Sequence, residues 1–168
     1  MANVVEDGTG LSNTNAYIDV AFADAYFTER NNAAWAGTNV EKEAFIVRAT
    51  DYIELVFGYR FIGTKFLATQ ALQHPRKADD DTSLGLPINL KKACAEYALI
   101  AKNSPLIVNP VYSADGMLVT EISKEVTGIK KSVKYDTNQM PIQLRPYPTA
   151  DLYLKDLLFS IRTGLIRN

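Results

Sequence analysis

Histidine and cysteine, two residue types often used for metal binding and nucleophilic catalysis, each occur once in this chain, as His74 and Cys94. They form no Cys/His set at zinc-binding spacing, and they argue against a histidine-based nucleophile triad. We interpret His74, beside Pro75 in a loop, as structural, and Cys94, within an apolar stretch, as a small buried core residue. One cysteine cannot form an internal disulfide, which suits a reducing compartment such as bacterial cytoplasm.

Two short motifs carry residue types that bind metals or phosphates elsewhere. Asp79, Asp80 and Asp81 lack the 12-residue calcium-loop pattern and are interpreted as a solvated acidic turn. The run Gly8 to Gly10 is followed by neither phosphate-binding glycine pattern. No pair of carboxylates is singled out for acid-base catalysis. We therefore expect no catalytic residue, no cofactor and no metal, and the alternative of a small enzyme with an unrecognised pocket stays open.

Basic residues cluster at two places, but the chain as a whole is nearly neutral. Lys130, Lys131 and Lys134 share one predicted strand, and a second group runs from His74 to Lys77. Acidic neighbours offset both groups. The formal net charge is -1 and the pI about 5.8, so non-specific binding to nucleic acid is not expected.

The composition is that of an ordinary globular protein. Of the 168 residues, 47% are apolar and 22% are charged, which predicts a packed core. The length predicts a single domain over residues 1–168. No stretch approaches the roughly 18 consecutive apolar residues of a membrane span.

Hydrophobic periodicity predicts a mainly α fold: a small helical bundle with an inserted β-hairpin and a C-terminal helix and tail. An N-terminal arm (1–18), rich in turn-forming residues, precedes a helical core (19–104). The predicted helices of the core run from Val20 to about Arg30, from about Val40 to Val56 and from about Ile88 to Lys102, with a short helix near Ala68 to Leu72 inside the irregular loop from Gly58 to Leu86.

The helix ends are marked by capping residues and prolines. Asp19 is predicted to cap the first helix, and Thr38 or Asn39 the second. Pro87 and Pro105 bracket the third helix. The apolar stripes are Phe22, Ala25 and Tyr26 on the first helix, Phe45, Ala49, Tyr52, Ile53 and Val56 on the second, and Leu90, Ala93, Cys94, Tyr97, Ala98 and Ala101 on the third.

Residues 118–136 predict the hairpin, with Thr127 and Gly128 as its turn. A single pairing register gives complementary pairs on both faces of the hairpin. It pairs Val126 with Ile129, Ile122 with Val133 and Thr120 with Tyr135 on an apolar face, and Glu125 with Lys130, Ser123 with Ser132 and Glu121 with Lys134 on the other.

The same register places Lys124 opposite Lys131 within the apolar face. Like charges in opposed positions are unfavourable, so we expect these lysines at an edge or against an acidic partner. An isolated two-stranded hairpin is marginally stable in water, so its apolar face needs cover from the helices or from another chain.

The last helix is predicted from about Thr149 to Ile161, with a tail to residue 168 (148–168 together). Apolar residues occupy much of its circumference. Such a helix either completes the core or supplies an interface between subunits, and the sequence leaves both open.

The order of these segments resembles one bacteriophage family over almost the whole chain. The resemblance rests on VVEDGTGLSNTNAYIDVAFADAYF, Trp35-Ala36-Gly37, EKEAFIVRATDYIE, FIGTKFLATQALQHPRK, LPINLKKACAEYALIA, the hairpin and the final helix beginning Pro-Thr-Ala-Asp-Leu. The family is that of the head-tail connector (adaptor) or head completion proteins of tailed phages, whose members are often labelled DnaT-like single-stranded-DNA-binding proteins.

The resemblance implies a structural protein of the virion neck, at the head-tail interface, which is present in the host cytoplasm during assembly. It implies a homo-oligomeric ring, about twelve copies, that binds the portal protein, extends the DNA channel and docks the tail. Its partners would be further copies of itself, the portal, a downstream tail or neck protein, and genomic double-stranded DNA that passes without sequence-specific binding, with no membrane. The chain departs from relatives by having His74 before the Pro-Arg pair and by its basic tail.

By analogy with that family, the hairpin and the central loop would bridge neighbouring subunits or meet the next tail component, and the C-terminal helix and tail would contact the portal. The predicted partner-binding residues are Lys124, Lys130, Lys131, Lys134, His74, Arg76, Leu157, Leu158, Ile161, Arg162 and Arg167. The alternative function is a DnaT-like single-stranded-DNA-binding protein, which would need a basic groove lined with aromatic side chains.

Overall fold

The chain is mainly helical, which confirms the predicted fold class. The computed structural model describes residues 3–107, 118–125, 130–136 and 144–159, and for the two strands it describes the backbone. The described residues belong to two compact units: a helical unit drawn from 1–106 and 146–168, and a hairpin unit drawn from 107–145. The expectation of a single domain stays a prediction.

The helical unit contains four described α-helices, and the first two begin at the capping residues predicted from the sequence. The helices are α1 (Val20–Glu29), α2 (Asn39–Phe57), α3 (Ile88–Asn103) and α4 (Pro148–Leu154), with 3-10 turns at Gly58–Arg60 and Lys155–Leu157. The Asp19 carboxylate accepts a hydrogen bond from the Phe22 amide at 2.7 Å. Of the two predicted caps for α2, Thr38 is the one used, in a reciprocal capping box with Glu41.

Helix α3 lies at the centre of this unit, where it packs against α1, α2 and α4. Its predicted apolar stripe is confirmed, since Leu90, Cys94 and Tyr97 are fully buried. The Cys94 sulfur lies 3.6 Å from the Thr50 hydroxyl, and burial raises the pKa of this thiol to about 12. Cys94 is therefore a core residue, as the sequence predicts.

The stripe predicted for α1 is partly wrong. Tyr26 is buried as expected, but Ala25 is exposed and Phe22 only half-buried, while Ala23 and Phe27 face the core instead. The face of α1 that packs on the core is therefore rotated from the predicted one, because the Phe27 ring packs on Trp35, which lies outside the helix. On α2 the buried residues are Ile46, Ala49, Thr50, Tyr52, Ile53 and Phe57, whereas the predicted Phe45 and Val56 are half-buried.

The predicted short helix near Ala68 to Leu72 is wrong, because these residues form turns. The Gln70 side chain forms hydrogen bonds with nearby backbone groups. Its oxygen accepts from the Leu67 amide at 2.8 Å, and its nitrogen donates to the Leu72 carbonyl at 2.8 Å. A side chain that satisfies neighbouring backbone groups competes with helical hydrogen bonding.

The N-terminal segment is packed on the body rather than extended from it. Ala16, Tyr17 and Ile18 are buried, and Glu6 is 2% exposed. The buried Glu6 carboxylate accepts hydrogen bonds from four donors, namely the amides of Gly8, Gly10 and Leu11 and the Thr14 hydroxyl. These bonds fix the glycine-rich turn, which needs the positive φ of Gly8 and Gly10.

The hairpin unit contains two antiparallel strands, β1 (Leu118–Glu125) and β2 (Lys130–Asp136). The predicted register is confirmed along most of their length: Glu121 to Glu125 pair with Lys134 to Lys130 in order. One pair is wrong, because an irregularity after Val119 places Val119 and not Thr120 opposite Tyr135. The predicted pair of Val126 and Ile129 lies outside the described residues.

Candidate functional site

The central loop, residues 58–86, is closed by the buried guanidinium of Arg76. This group donates to the Gly63 carbonyl at 3.1 Å, the Gly58 carbonyl at 3.5 Å and the Gln73 side-chain oxygen at 3.2 Å. Its carbon also lies 5.6 Å from the centre of the Phe61 ring. Arg76 is 7% exposed, so it ties the start of the loop to the middle of the loop from inside.

A carboxylate on α2 holds the same loop from the other side. Glu54 accepts hydrogen bonds from the Tyr17 hydroxyl and from the Gln73 amide, the latter at 3.1 and 3.2 Å to its two oxygens. Burial raises the pKa of Glu54, and these hydrogen bonds oppose the rise. The N-terminal segment, α2 and the central loop therefore meet at one polar network.

His74 lies beside this network but is not hydrogen-bonded into it through its ring. Its side chain is 4% exposed, and neither ring nitrogen has a hydrogen-bond partner. The ring packs edge-on against Phe61 and Tyr17, with centroid distances of 4.6 and 6.5 Å. Burial, assisted by the neighbouring Arg76 charge, lowers the pKa of His74 to about 4.

This arrangement favours packing over catalysis. A catalytic histidine is oriented by a hydrogen bond to one ring nitrogen and reaches the reacting group with the other, and His74 has neither contact. Within the described ranges, no three His, Cys, Asp or Glu side chains are grouped so as to hold a metal ion. His74 and Arg76 are buried in this structure, and their role in partner binding stays a prediction.

The C-terminal segment presents the opposite arrangement, with apolar side chains at the surface. The predicted helix to Ile161 is shorter than expected, since α4 ends at Leu154 and Leu158 is extended. Leu158 pairs with Phe61 in an antiparallel bridge. Two backbone hydrogen bonds flank the bridge, from the Ile62 amide to the Leu157 carbonyl at 3.0 Å and from the Phe159 amide to the Arg60 carbonyl at 2.8 Å.

The bridge separates buried from exposed side chains because neighbours along a strand point to opposite faces. Phe61 and Leu158 are 2% and 9% exposed and face the core. On the outer face, Ile62 and Phe159 are 49% and 56% exposed, and Leu157 is half-buried. Leu152 on α4 adds a side chain that is 66% exposed. We call the surface formed by Arg60, Ile62, Leu152, Leu157 and Phe159 the C-terminal patch.

A groove of about 770 Å³ opens at this patch. Four charged residues line it, two of each sign, and its apolar walls come from Phe57, Pro148, Leu152, Leu158 and Phe159. Asp151 is already engaged, accepting from the Tyr97 hydroxyl and from the Tyr147 amide. Asp156, Lys155 and Arg60 form no ion pair with another described residue. The groove thus has both apolar and charged residues in its walls and no net charge.

The sequence-predicted residues fall into four groups. His74 and Arg76 belong to the buried network of the helical unit, and Leu157 and Leu158 belong to the C-terminal bridge. Lys124 lies opposite Lys131 in the hairpin register, with Lys130 and Lys134 opposite Glu125 and Glu121. Ile161, Arg162 and Arg167 lie outside the described residues.

Sequence reasoning missed the contribution of the central loop to the C-terminal patch. Arg60 and Ile62 lie about a hundred positions before Leu157 in the chain, and no local periodicity links the two segments. The one signal that pointed to this surface is the excess of apolar residues around the last helix, including Leu152 and Phe159.

No helix in the described part of the chain is long and apolar enough to cross a membrane. The fold and the patch define a mainly helical protein with a hairpin unit and, on its helical unit, a patch of exposed apolar side chains.

The family model described as "Putative DnaT-like ssDNA binding protein" matches residues 1–167. The chain therefore belongs to this DnaT-like family. This membership agrees with part of the resemblance identified from the sequence and with its DNA-binding label. The chain matches no curated protein and no solved structure.

Proposed function

We infer that this chain is the subunit of a head-tail connector in a tailed bacteriophage. In this proposal about twelve copies form a closed ring in the virion neck, as cyclic assemblies of identical chains do. The ring binds the portal protein above and a tail or neck protein below, and it lets genomic double-stranded DNA pass. The segment order that resembles connector proteins supports this function.

The observation that carries the proposal is the C-terminal patch. Scattered exposed apolar residues are normal on a monomer, but adjoining ones mark contact surfaces. Here the backbone bridge places Ile62 beside Leu157 and Arg60 beside Phe159, and Phe159 lines one groove together with Leu152. The exposure of these apolar side chains in the single chain is explained if a neighbouring subunit or the portal covers this face in the assembly.

The charge of the chain also suits a channel wall. Proteins that hold DNA do so by neutralising phosphates with lysine and arginine, and the affinity rises steeply with the number of such contacts. A net charge of -1 provides no overall excess for that purpose. DNA therefore slides past such a wall without being held.

The connector proposal is tested by counting copies in purified mature virions with quantitative mass spectrometry. We expect a ratio to the portal protein near one, because a ring that binds the portal subunit for subunit contributes one copy for each portal chain. Absence from virions, together with abundance in infected cells, would overturn the connector function.

Single-stranded-DNA binding is a second candidate, and the description of the family favours it over the connector. Such binding uses cationic grooves and aromatic side chains on which bases stack. In the described part of the helical unit, Tyr59 and Phe159 are the aromatic side chains that are more than half exposed, at 80% and 56%. Arg60 lies between Tyr59 and the bridge, so these three residues are where a strand would bind.

This candidate predicts binding to a labelled oligothymidine that weakens linearly with the logarithm of salt concentration. Tyr59→Ser with Phe159→Ser would reduce the affinity by at least tenfold, since each stacked base contributes about 1–3 kcal/mol. Leu152→Ser, at the same patch but without an aromatic ring, is the matched control. Equal binding by both variants would exclude this site.

A further inference from the structure

The ring of His74 lies against the backbone bridge that builds the C-terminal patch. Phe61, which pairs with Leu158 in that bridge, packs edge-on on the His74 ring at a centroid distance of 4.6 Å. Phe61 is 2% exposed and His74 is 4% exposed. A single buried aromatic side chain therefore joins an ionisable ring to the strand that holds the C-terminal segment.

The surroundings of His74 accept the neutral imidazole and not the imidazolium. Neither ring nitrogen has a hydrogen-bond partner. An imidazolium has two N–H donors and a full charge, and burying these groups without acceptors is costly. A proton on His74 therefore favours any state of the chain in which water reaches the ring.

Ionisable groups from three elements lie around His74, and none of them offsets such a charge at low pH. In the loop itself, the positive charge of Arg76 disfavours a second one beside it. In the N-terminal segment, burial raises the pKa of Tyr17, so its hydroxyl stays neutral. On α2, Glu54 accepts from the Gln73 amide next to His74, but burial raises the pKa of Glu54, so acid tends to discharge it.

Displacement of Phe61 is the smallest opening that brings water to the His74 ring. On the opposite side, Tyr17 is fully buried and its hydroxyl is bonded to Glu54. The Phe61 side is held by the bridge to Leu158, which two backbone hydrogen bonds of 3.0 and 2.8 Å flank. A short bridge of this kind opens at a lower free energy than a buried helix such as α3.

We propose that protonation of His74 releases the C-terminal segment, residues 155–159, from the central loop and thereby takes the C-terminal patch apart. The two strands of the bridge carry the two halves of the patch, so opening the bridge separates them. A molecule bound across both halves holds the bridge closed and, by linkage, keeps His74 neutral. The inference concerns the patch whatever covers it, so it does not depend on the connector function.

Amide hydrogen exchange of the full-length chain tests this release. The matched variant is His74→Phe, which keeps an aromatic ring but cannot titrate. Exchange at pH 7 and at pH 5 is followed by mass spectrometry with electron-transfer fragmentation, and each rate is divided by the intrinsic rate at that pH. The reporters are the amides of Ile62 and Phe159, which donate the two flanking hydrogen bonds, and the references are the amides of Tyr97 and Ala98 in α3.

In the wild type we expect the protection of the two reporter amides to fall about twentyfold from pH 7 to pH 5, because the released state binds a proton with the ordinary affinity of histidine. In His74→Phe the fall should be less than twofold. The α3 amides should stay at least tenfold better protected than the reporters throughout. An equal fall in the variant, unchanged protection in the wild type, or α3 protection that drops to the level of the reporters would each overturn the inference.

Nuclear magnetic resonance gives a second measurement that needs no substitution. His74 is the only histidine, so its imidazole signals in an untagged chain are assigned directly. We expect these signals to report a neutral ring down to about pH 5 in the folded chain. A titration midpoint near that of an exposed histidine would mean that water already reaches the ring in the closed state, and the proposed release would then be wrong.

Discussion

The central loop and the C-terminal segment of the helical unit distribute their side chains in opposite ways. In the loop, the ionisable residues His74 and Arg76 are 4% and 7% exposed. In the C-terminal segment, the apolar residues Leu152 and Phe159 are 66% and 56% exposed. The fold supplies hydrogen bonds to the Arg76 guanidinium and aromatic contacts to the His74 ring, whereas adjoining exposed apolar side chains mark contact surfaces. The side chains of the loop therefore stabilise the helical unit from inside, whereas the C-terminal segment is the surface that the connector proposal assigns to contact with another molecule.

The sharpest test of this difference uses two leucines of α4. Leu154 is fully buried and Leu152 is 66% exposed. We expect Leu154→Ala to lower the free energy of unfolding by about 4 kcal/mol, because it leaves a cavity. Leu152→Ala should change it by less than about 0.5 kcal/mol. Urea unfolding followed by circular dichroism measures both, and similar losses would contradict the assignment of Leu152 to a contact surface.

The anchoring role of the loop is tested at Arg76. Arg76→Met keeps the length of the side chain but removes three hydrogen bonds, leaving the Gly58 and Gly63 carbonyls without this donor. We expect a loss of about 3 kcal/mol in the free energy of unfolding. Arg48→Met is the control, because Arg48 is exposed on α2. If the two variants are equally stable, Arg76 does not hold the loop closed.

His74 should make the free energy of unfolding depend on pH. Its pKa is about 4 in the folded chain and about 6.5 when unfolded, so between these values the unfolded chain binds the additional proton. The contribution of neutral His74 to the free energy of unfolding is fully present above the pKa of the unfolded chain, and it decreases as the pH falls toward 4. We expect a loss of about 2 kcal/mol between pH 7 and pH 5.

The variant His74→Leu cannot titrate, and its unfolding free energy should lack this part of the pH dependence. Urea unfolding at pH 7 and pH 5 gives the comparison. If the unfolding free energy of the variant falls between pH 7 and pH 5 as much as that of the wild type, other groups cause the pH dependence.

The smallest effect on stability is expected at Phe159. The Phe159→Ser change should alter the free energy of unfolding by less than about 0.5 kcal/mol, because the side chain is more than half exposed. Under the connector proposal it should nevertheless reduce the number of copies retained in virions. Retention at the wild-type ratio to the portal would remove Phe159 from the contact.

The helices were the most predictable part of the fold. Their signals are local: Asp19 and Thr38 cap the first two helices, and the stripe through Leu90, Cys94 and Tyr97 repeats every three or four residues. The hairpin register was equally accessible, since complementary pairs such as Glu125 with Lys130 fit one alignment. The irregularity after Val119 could not be predicted, because the alternation of apolar and polar residues along the strand does not mark it.

The candidate site was much less predictable. A basic run from His74 to Lys77 suggested a surface patch, yet Arg76 is buried because Gly58, Gly63 and Gln73 offer acceptors inside the loop. The last helix ended earlier than its periodicity predicts, because Leu158 pairs with Phe61. Both outcomes depend on partners distant in the chain.

The sequence by itself determined the helical class, the main helix positions, most of the hairpin pairing and the burial of Cys94, because each depends on residues within a few positions of one another. The tertiary structure decided which polar groups are interior and which apolar groups are exposed. The environment of a side chain is set by whatever the fold brings against it, and for His74, Arg76 and Phe159 those neighbours come from other segments of the chain.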